Sequence, residues 1–254
     1  MLKSIVEMSK KAGEILKHGY FAFQNVGFKG EIDLVTDYDR KIELFLIDEI
    51  GKISKDIKIM SEEFNADRSI EGDTFIIDPI DGTTNFVHNF PFCAVSIAFY
   101  SDKKRYGVVY NPILEEIFYA ETGSGAFLNG ERIAVSDESR LINSLIATGF
   151  PYSVVKNGSD RLLEMLGAIL KSSRGVRRAG SASLDLCYVA KSVFQGYYEA
   201  GLKPWDVAAG IVILEEAGGT VSDIDGGEYS FYKDIIVASN SKIHGELLGV
   251  LNGR

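Results

Sequence analysis

The chain has 254 residues, of which 46% are hydrophobic and 25% are charged, so it is long enough for one large globular domain or two coupled halves. Its net charge of −9 argues against nucleic acid or an anionic membrane as the main partner. No apolar run approaches the roughly 18 residues of a membrane span, and charged residues interrupt the apolar stretch that a signal peptide would need at its start.

Two amphipathic helices with a short strand between them are predicted in the N-terminal region. Apolar side chains recur at helical spacing over residues 2–22. Residues 31–36 have the pattern of a strand, and Thr36 is predicted to cap a second helix over residues 37–51. Asp39 lies in the first turn of that helix, where an acid favours the helix dipole in any protein.

Acidic residues directly follow two of the predicted strands. Glu62 and Glu63 come just after a brief strand over residues 57–60, and the buried apolar run over residues 75–77 ends in Asp78. Ligands of one metal ion must come from different elements that converge, so two such strand ends predict a shared metal site. A solvated loop start is the structural alternative for the two glutamates.

The segment that begins at Asp78 reads Asp-Pro-Ile-Asp-Gly-Thr-Thr-Asn-Phe. Pro79 cannot extend a strand ladder, Asp81 begins a turn signal with the glycine after it, and the two threonines from Thr83 can cap a short helix whose free N–H groups attract anions. Carboxylates that hold a hard divalent cation would recruit phosphate beside this helix. Asp-x-x-Asp alone is equally compatible with ordinary turn residues.

An antiparallel β-sheet is predicted next, and a weakly marked boundary between two halves of the chain follows it. Further strands are predicted over residues 92–100, 105–110 and 116–120. Asn129 and Gly130 form a strong hairpin signal, and His88 suits a structural role as well as a catalytic one. A polar stretch near residue 140 divides the chain into an N-terminal half, 1–140, and a C-terminal half, 141–254, which together form one catalytic unit.

The C-terminal half is predicted to contain strands over residues 145–148, 194–199 and 235–239 and helices over residues 161–171, 207–217 and 242–251, with another helix between residues 183 and 191. Small residues at 180–183 permit close approach of a ligand to that helix. Asp206 lies in a first helical turn, where an acid is helpful anyway. The basic patch at 174–178 is interpreted as a solvated strand edge, residues 223–228 as a tight turn, and His244 as a surface residue.

Absent motifs exclude several enzyme classes. The sequence has no phosphate-binding P-loop, no dinucleotide-binding glycine motif and no Gly-x-Ser-x-Gly elbow. Three scattered histidines disfavour a Ser-His-Asp triad or a His-rich zinc site, whereas carboxylates favour Mg²⁺ or Mn²⁺. Cys93 and Cys187 are predicted to be buried free thiols, which indicates a cytoplasmic location.

Three segments resemble the signature segments of the inositol monophosphatase family, which are Mg²⁺-dependent, Li⁺-sensitive sugar and polyol phosphatases. They are Glu62-Glu63, the segment that begins at Asp78, and Trp205-Asp206-Val-Ala-Ala. Similarity also covers Asp33-Leu-Val-Thr-x-x-Asp39, Gly125-Ala-Phe-x-Asn-Gly130 and Gly180-Ser-Ala-Ser-Leu-Asp185. The resemblance implies an α+β fold, a layered α/β/α/β/α sandwich of the inositol monophosphatase and fructose-1,6-bisphosphatase type, and a homodimer as in many members.

The resemblance also implies a role for each matching residue, with two to three Mg²⁺ ions per site and Mn²⁺ as a possible substitute. The implied metal ligands are Glu62, Asp78 and the carbonyl of Ile80 for one ion, and Asp78, Asp81 and Asp206 for another. The implied catalytic groups are Thr83, Glu62, Glu63 and Asp39, with Thr83 orienting the attacking water. The implied substrate contacts are Asp81, Gly82, Thr83, Gly180, Ser181, Ala182 and Glu199.

This sequence departs from the family pattern at three points. Ser61 stands where the family usually has glycine, and little effect is expected because the acids after it remain. Lys29 is the match to the family's loop lysine, with its register left open. Lys203 stands where substrate contacts vary, so it would favour a more anionic substrate.

The function predicted from these features is hydrolysis of a phosphate monoester of a small polyol or sugar, most of all inositol 1-phosphate, by metal-activated water. Fructose-1,6-bisphosphatase or dual activity is one alternative. A haloacid-dehalogenase-type phosphatase would require Asp-x-Asp after the strand, which is not the spacing here. A regulatory protein that keeps the fold and binds a transcription or RNA partner is the alternative of another class, disfavoured because clustered idle acids repel each other.

Overall fold

Two β-sheets and the helices around them form the part of the chain that the computed structural model describes, which is residues 1–22, 26–28, 34–66, 70, 72–151 and 160–253. The helices are α1 (Leu2–Tyr20), α2 (Asp37–Ile53), α3 (Thr83–Val87), α4 (Asp160–Ser172), α5 (Ala182–Ala190), α6 (Pro204–Glu216) and α7 (His244–Leu251), with a 3₁₀ turn at Leu141–Asn143. The strands of the small N-terminal hairpin are β1 (Val26–Phe28) and β2 (Leu34–Thr36).

The larger sheet has seven strands in chain order. They are β3 (Lys58–Ser61), β4 (Thr74–Asp81), β5 (Ala94–Tyr100), β6 (Arg105–Asn111), β7 (Glu116–Glu121), β8 (Gly125–Leu128) and β9 (Glu131–Ile133). Only β3 and β4 pair in parallel, with Ser61 opposite Ile77, and the other pairs are antiparallel. Since parallel strands end at the same edge, the residues after β3 lie beside the end of β4.

The smaller sheet has five strands, in the order β11, β10, β12, β14 and β13. Their bounds are β10 (Leu145–Thr148), β11 (Gly175–Arg177), β12 (Gly196–Ala200), β13 (Thr220–Asp223) and β14 (Ile235–Ser239). β10 pairs in parallel with β11 and β12, whereas β12, β14 and β13 are antiparallel.

The helices and the two sheets stack in five layers, and three clusters of buried side chains fill the space between the layers. This confirms the predicted α/β/α/β/α sandwich. Phe75 and Ile77 on β4 pack with apolar residues of α1 and α2. Ile76, which points to the opposite face, packs in a second cluster with α5, α6 and the smaller sheet. The third cluster joins the other face of the smaller sheet to α4 and α7. Both faces of β4 are therefore buried, as its continuous apolar run predicts.

Helix α6 lies in the middle layer and is apolar almost all round. It packs so closely on α5 that a Cβ at Gly210 would lie 2.8 Å from Leu186. Its first turn carries Asp206, so the buried body of the helix fixes this acid in position. Within the residues that the structure describes, no helix combines the length and hydropathy that crossing a membrane requires.

Strand β4 runs further than its sequence predicts. It continues through Pro79 to Asp81, because a bulge shifts the register between Asp78, which faces Ser96, and Asp81, which faces Ala94. The extra residue accommodates the proline without a ladder bond. The helix cap also differs: Gly82, with φ of 92°, is the N-cap of α3, and the first threonine is already helical.

The prediction that His244 is a surface residue is wrong. Its ring is half-buried, with Nε2 2.9 Å from Ser222 Oγ and Nδ1 2.9 Å from Ser239 Oγ. The sequence gives no local sign of this, since the two serines come from different strands. Lys29 lies outside the described residues, and the boundary near residue 140 stays a prediction.

Other local predictions are confirmed. Both cysteines are buried and free. Asn129 and Gly130 both adopt positive φ in the turn between β8 and β9, as the hairpin signal predicts. Residues 223–228 form a tight turn in which Asp223 accepts hydrogen bonds from two backbone N–H groups.

Candidate active site

A cleft of about 320 Å³ opens where β3 and β4 end, α3 begins, and the first residues of α5 and α6 approach from the other half. Most predicted site residues line it. They are Glu62, Asp78, Ile80, Asp81, Gly82, Thr83, Gly180, Ser181, Ala182, Glu199, Lys203 and Asp206. The structure thus brings residues from four separate stretches of the chain to one place, while Asp39 and Glu63 lie outside the lining.

The carboxylate of Asp78 is at the centre of the acidic wall. It is 2% exposed, and its Oδ1 accepts a hydrogen bond of 3.0 Å from the N–H of Ile80. Burial raises the pKa of Asp78 well above its usual range, and the nearby charges of Glu62, Asp81 and Asp206 raise it further. Such a group is stabilised in its charged form only when a cation is supplied.

Asp81 and Asp206 each have one oxygen engaged by the protein. Oδ2 of Asp81 accepts from the hydroxyl of Ser181 at 2.7 Å and from the N–H of Ser183 at 2.8 Å. Oδ2 of Asp206 accepts from the N–H of Lys203 at 2.6 Å and so caps its own helix. Burial raises the pKa of both acids. Each Oδ1 is the atom that could bind a cation.

The donor set fits a hard divalent cation. Five carboxylates line the cleft, and four of them belong to the predicted ligands Glu62, Asp78, Asp81 and Asp206. Ile80 lines it too, and oxygen donors suit Mg²⁺ or Mn²⁺. Across the described part of the chain, no group of three or more His, Cys, Asp or Glu side chains is placed so that these side chains could hold a metal ion by themselves. Mg²⁺ usually takes one or two carboxylates with waters and substrate phosphate, so an open acidic wall is compatible with it.

Thr83 connects the cleft to Asp39 behind it. Its hydroxyl lies 3.1 Å from both Asp39 Oδ1 and the carbonyl of Ile80, either of which accepts its proton. Asp39 is fully buried and its Oδ2 also accepts from the N–H and hydroxyl of Thr36. Burial raises the pKa of Asp39, and the charge of Glu63 raises it further. Asp39 therefore lies in the first turn of α2 and also contacts Thr83, which lines the cleft.

Glu199 lies on the wall of the cleft opposite these acids. Two neighbouring residues support it there, and the sequence position of Glu199 does not reveal them. The hydroxyl of Tyr197 donates to Glu199 Oε2 at 2.7 Å, and a Cβ at Gly149 would overlap its carboxylate. Burial raises the pKa of Glu199 to about 7, against the opposing effect of the Arg178 guanidinium. Only the absence of a side chain at residue 149 leaves room for this acid.

Asn85, in α3, links the segment before β5 to the segment before α5. Its Nδ2 donates to the carbonyls of Phe92 at 2.7 Å and Ala179 at 2.8 Å. A Cβ at Gly82 would lie 3.0 Å from Phe92 O and 3.1 Å from Gly180 O. Glycine is therefore required where the backbones meet, as well as for its positive φ.

Sequence reasoning missed Arg178, Tyr197, Asn85 and Gly149 as site residues. Residues 175–177 do form an edge strand, but Arg178 lies beyond it and lines the cleft. Its position two residues before Gly180 was the available signal. For Tyr197 the signal was strand periodicity, which places it on the same face as Glu199.

Comparison with known proteins gives a consistent result. The family model described as "Inositol monophosphatase family" matches residues 1–253. Inositol monophosphatase 2 of Solanum lycopersicum is 40% identical over 97% of this chain and 96% of its own length. The Nus factor SuhB of Haemophilus influenzae is 39% identical over 98% of this chain and 94% of its own. The crystal structure of extragenic suppressor protein suhB from Bartonella henselae has a TM-score of 0.91 at 41% identity, covering 98% and 97% of the two chains.

Proposed function

This chain belongs to the inositol monophosphatase family, and we propose that it hydrolyses phosphate monoesters of small polyols or sugars, inositol 1-phosphate first among them. Family membership supports phosphatase activity, and the substrate is part of the proposal. The observation that carries it is the convergence of four carboxylates from three remote segments on one cleft beside α3.

The proposed cofactor is Mg²⁺, in two to three ions, with Mn²⁺ as a substitute. Glu62, Asp78 and the Ile80 carbonyl would hold one ion, and Asp78, Asp81 and Asp206 another. When bound, the ions would neutralise phosphate charge and lower the pKa of a bound water. The hydrogen bonds on Asp81 and Asp206 orient these carboxylates before any ion arrives.

Thr83 is proposed to orient the attacking water. Because its hydroxyl hydrogen is donated to Asp39 or to the Ile80 carbonyl, the lone pairs of its oxygen are left to accept a hydrogen bond from water. Glu63 would assist from behind through Asp39. Attack by a water held this way would hydrolyse the phosphate monoester directly, without a covalent phosphoenzyme intermediate.

The remaining contacts are proposed to hold the substrate. The backbone N–H groups of Gly82 and Thr83 would bind phosphate at the start of α3. Gly180, Ser181, Ala182 and Glu199, with Asp81, would contact the polyol. The exposed Lys203 lies at the same cleft and would attract anionic substrates.

A phosphate-release screen tests the proposal. The wild-type protein is incubated with phosphorylated polyols and sugars in Mg²⁺, with and without Li⁺ and with a strong chelator. We expect inositol 1-phosphate to be hydrolysed, Li⁺ to inhibit and the chelator to abolish activity. Full activity in the chelator, or no activity on any phosphorylated polyol, would refute the proposal.

Fructose-1,6-bisphosphatase or dual activity is the second candidate, favoured by the two cations that line the cleft, Arg178 and Lys203. A second phosphate on the substrate could pair with them. Parallel kcat/KM measurements on inositol 1-phosphate and fructose 1,6-bisphosphate decide between the two. A Lys203→Ala variant should lower kcat/KM for the bisphosphate more than for the monophosphate if this candidate is right.

A regulatory role, with a transcription or RNA partner, is the candidate of another class, and it rests on the name Nus factor that some relatives carry. A metal-ligand variant of the chain, immobilised and exposed to lysate, would retain such a partner while lacking phosphatase activity. We also propose a cytoplasmic homodimer, and light scattering of the purified chain tests the dimer.

A further inference from the structure

Glu43 is a buried acid that the catalytic proposal does not use. It lies on α2 one helical turn after Asp39, and its side chain is completely buried. A carboxylate in such a position requires hydrogen-bond donors, because an unsatisfied buried charge is strongly unfavourable. The identity of its donors indicates what it does.

Within the described part of the chain, its three hydrogen-bond donors lie at the end of β3 and in the turn that follows it. Oε1 accepts from the hydroxyl of Ser61 at 2.5 Å and from the N–H of Phe64 at 2.8 Å, and Oε2 accepts from the N–H of Glu63 at 2.9 Å. These bonds bracket Glu62, which lines the cleft. One carboxylate thus fixes the backbone on both sides of a proposed metal ligand.

Ser61 gives this arrangement a feature particular to this chain. It stands where glycine is usual in the family pattern, and the sequence alone predicts little effect of the change. In the structure its hydroxyl donates to Glu43 and accepts a bond of 3.2 Å from Asn65 Nδ2. A glycine would supply neither bond, so the serine ties the turn to α2 more firmly.

We propose that Glu43 and Ser61 form a buried anchor that positions Glu62 for divalent-cation binding. Glu43 is a positioning residue, since it acts through the turn and does not line the cleft. This inference deepens the proposed function and rests on its metal site. Loss of such supporting partners typically weakens metal affinity about 10- to 100-fold.

The test measures Mn²⁺ affinity by calorimetry without substrate, in wild type, Glu43→Gln, Ser61→Ala and the double variant. Glutamine replaces one acceptor oxygen by a donor, so it cannot satisfy all three donors. We expect Glu43→Gln to weaken Mn²⁺ binding by about 10-fold or more and Ser61→Ala to weaken it less. The double variant should bind like Glu43→Gln alone, because Ser61 contributes to the anchor through its bond to Glu43.

Amide hydrogen exchange at Glu63 and Phe64 gives a second readout. Exchange at both amides should accelerate in Glu43→Gln, while exchange in the core of α2 stays as in wild type. Asp48→Asn, on the exposed face of the same helix, is the matched control and should change neither measurement. Ser61→Ala removes one hydroxyl and keeps the test valid if Glu43→Gln does not fold.

Mn²⁺ affinity within twofold of wild type in both single variants, with unchanged exchange, would overturn the anchor. A wild-type protein that binds no Mn²⁺ would overturn it as well. A wild type that binds Mn²⁺ but hydrolyses no phosphorylated polyol refutes the proposed function alone, because the affinities of the variants still decide the role of Glu43.

Discussion

Replacement of Asp78 by asparagine should change stability and activity in opposite directions. Asparagine keeps the size of the side chain and can accept the Ile80 N–H bond through its amide oxygen, so the bulge in β4 is retained. What is lost is a negative charge that burial and three neighbouring acids disfavour. The metal-free variant should therefore be more stable than the metal-free wild type.

The size of this effect follows from the raised pKa of Asp78. Each pKa unit corresponds to about 1.4 kcal/mol when the group is charged, and for a chain of this size about 1 kcal/mol shifts Tm by 2–4 °C. The raised pKa of Asp78 therefore predicts a higher Tm for the variant in chelator, by this many degrees for each kcal/mol that loss of the charge contributes. Activity in Mg²⁺ should fall by about 10³-fold or more, as expected for loss of one preorganised electrostatic group.

The assay is differential scanning calorimetry in chelator and in Mg²⁺, with phosphate release measured on the same samples. Mg²⁺ should raise Tm of the wild type and have little effect on the variant. Asp73→Asn, an exposed acid just before the same strand, is the control and should leave both readouts unchanged. A variant that melts below wild type in chelator, or that keeps near-normal Mg²⁺-dependent turnover, would refute the reasoning.

Three further predictions concern the wall opposite the acids and the contact between the halves. Because the pKa of Glu199 is raised from 4.5 to about 7, the native protein holds a proton that the unfolded chain has lost. Metal-free stability should fall as pH rises between these values, and the share of Glu199 is up to about 3 kcal/mol. Glu199→Gln should remove that share from the difference between urea unfolding at pH 5 and 7.5, while the other buried acids keep theirs. Asn85→Ala loses its bonds to Phe92 and Ala179 and should lower the free energy of unfolding by about 2 kcal/mol, a Tm decrease of about 4–8 °C; an unchanged Tm would contradict it. Gly149→Ala should displace Glu199 and raise KM for a polyol phosphate about 10-fold, with less effect on an aryl phosphate; equal effects on both substrates would count against a polyol contact.

Local sequence patterns predicted most of the helices and strands, because hydrophobic periodicity and turn residues act over short distances. The hairpin at Asn129 and the cap at Thr36 are examples in which the deciding contacts lie within three residues. The end of β4 was predicted too early, since a bulge depends on the partner strand. His244 was misread because its two hydrogen-bond partners lie on separate strands, which only the fold brings to its ring.

The acids of the candidate site were predictable from their positions after strands, whereas the residues that orient them were not. Asp78 follows an apolar run in the sequence, but the bond from Tyr197 to Glu199 depends on both side chains lying on the same face of β12. The sequence position of Glu43 also indicated a buried role, but no prediction was made from it. It lies among Asp39, Ile42, Leu46 and other buried positions of α2, and a charged residue on a buried helix face requires a specific partner.

Asp81 accepts hydrogen bonds from Ser181 and Ser183, which come 100 and 102 positions later in the chain. This separation has a consequence for biosynthesis. A polypeptide still emerging from the ribosome carries Glu62 and Asp78 long before Ser181 and Asp206 are translated. Incomplete or truncated molecules should therefore be catalytically silent, and thermal inactivation of the finished molecule should coincide with its global melting.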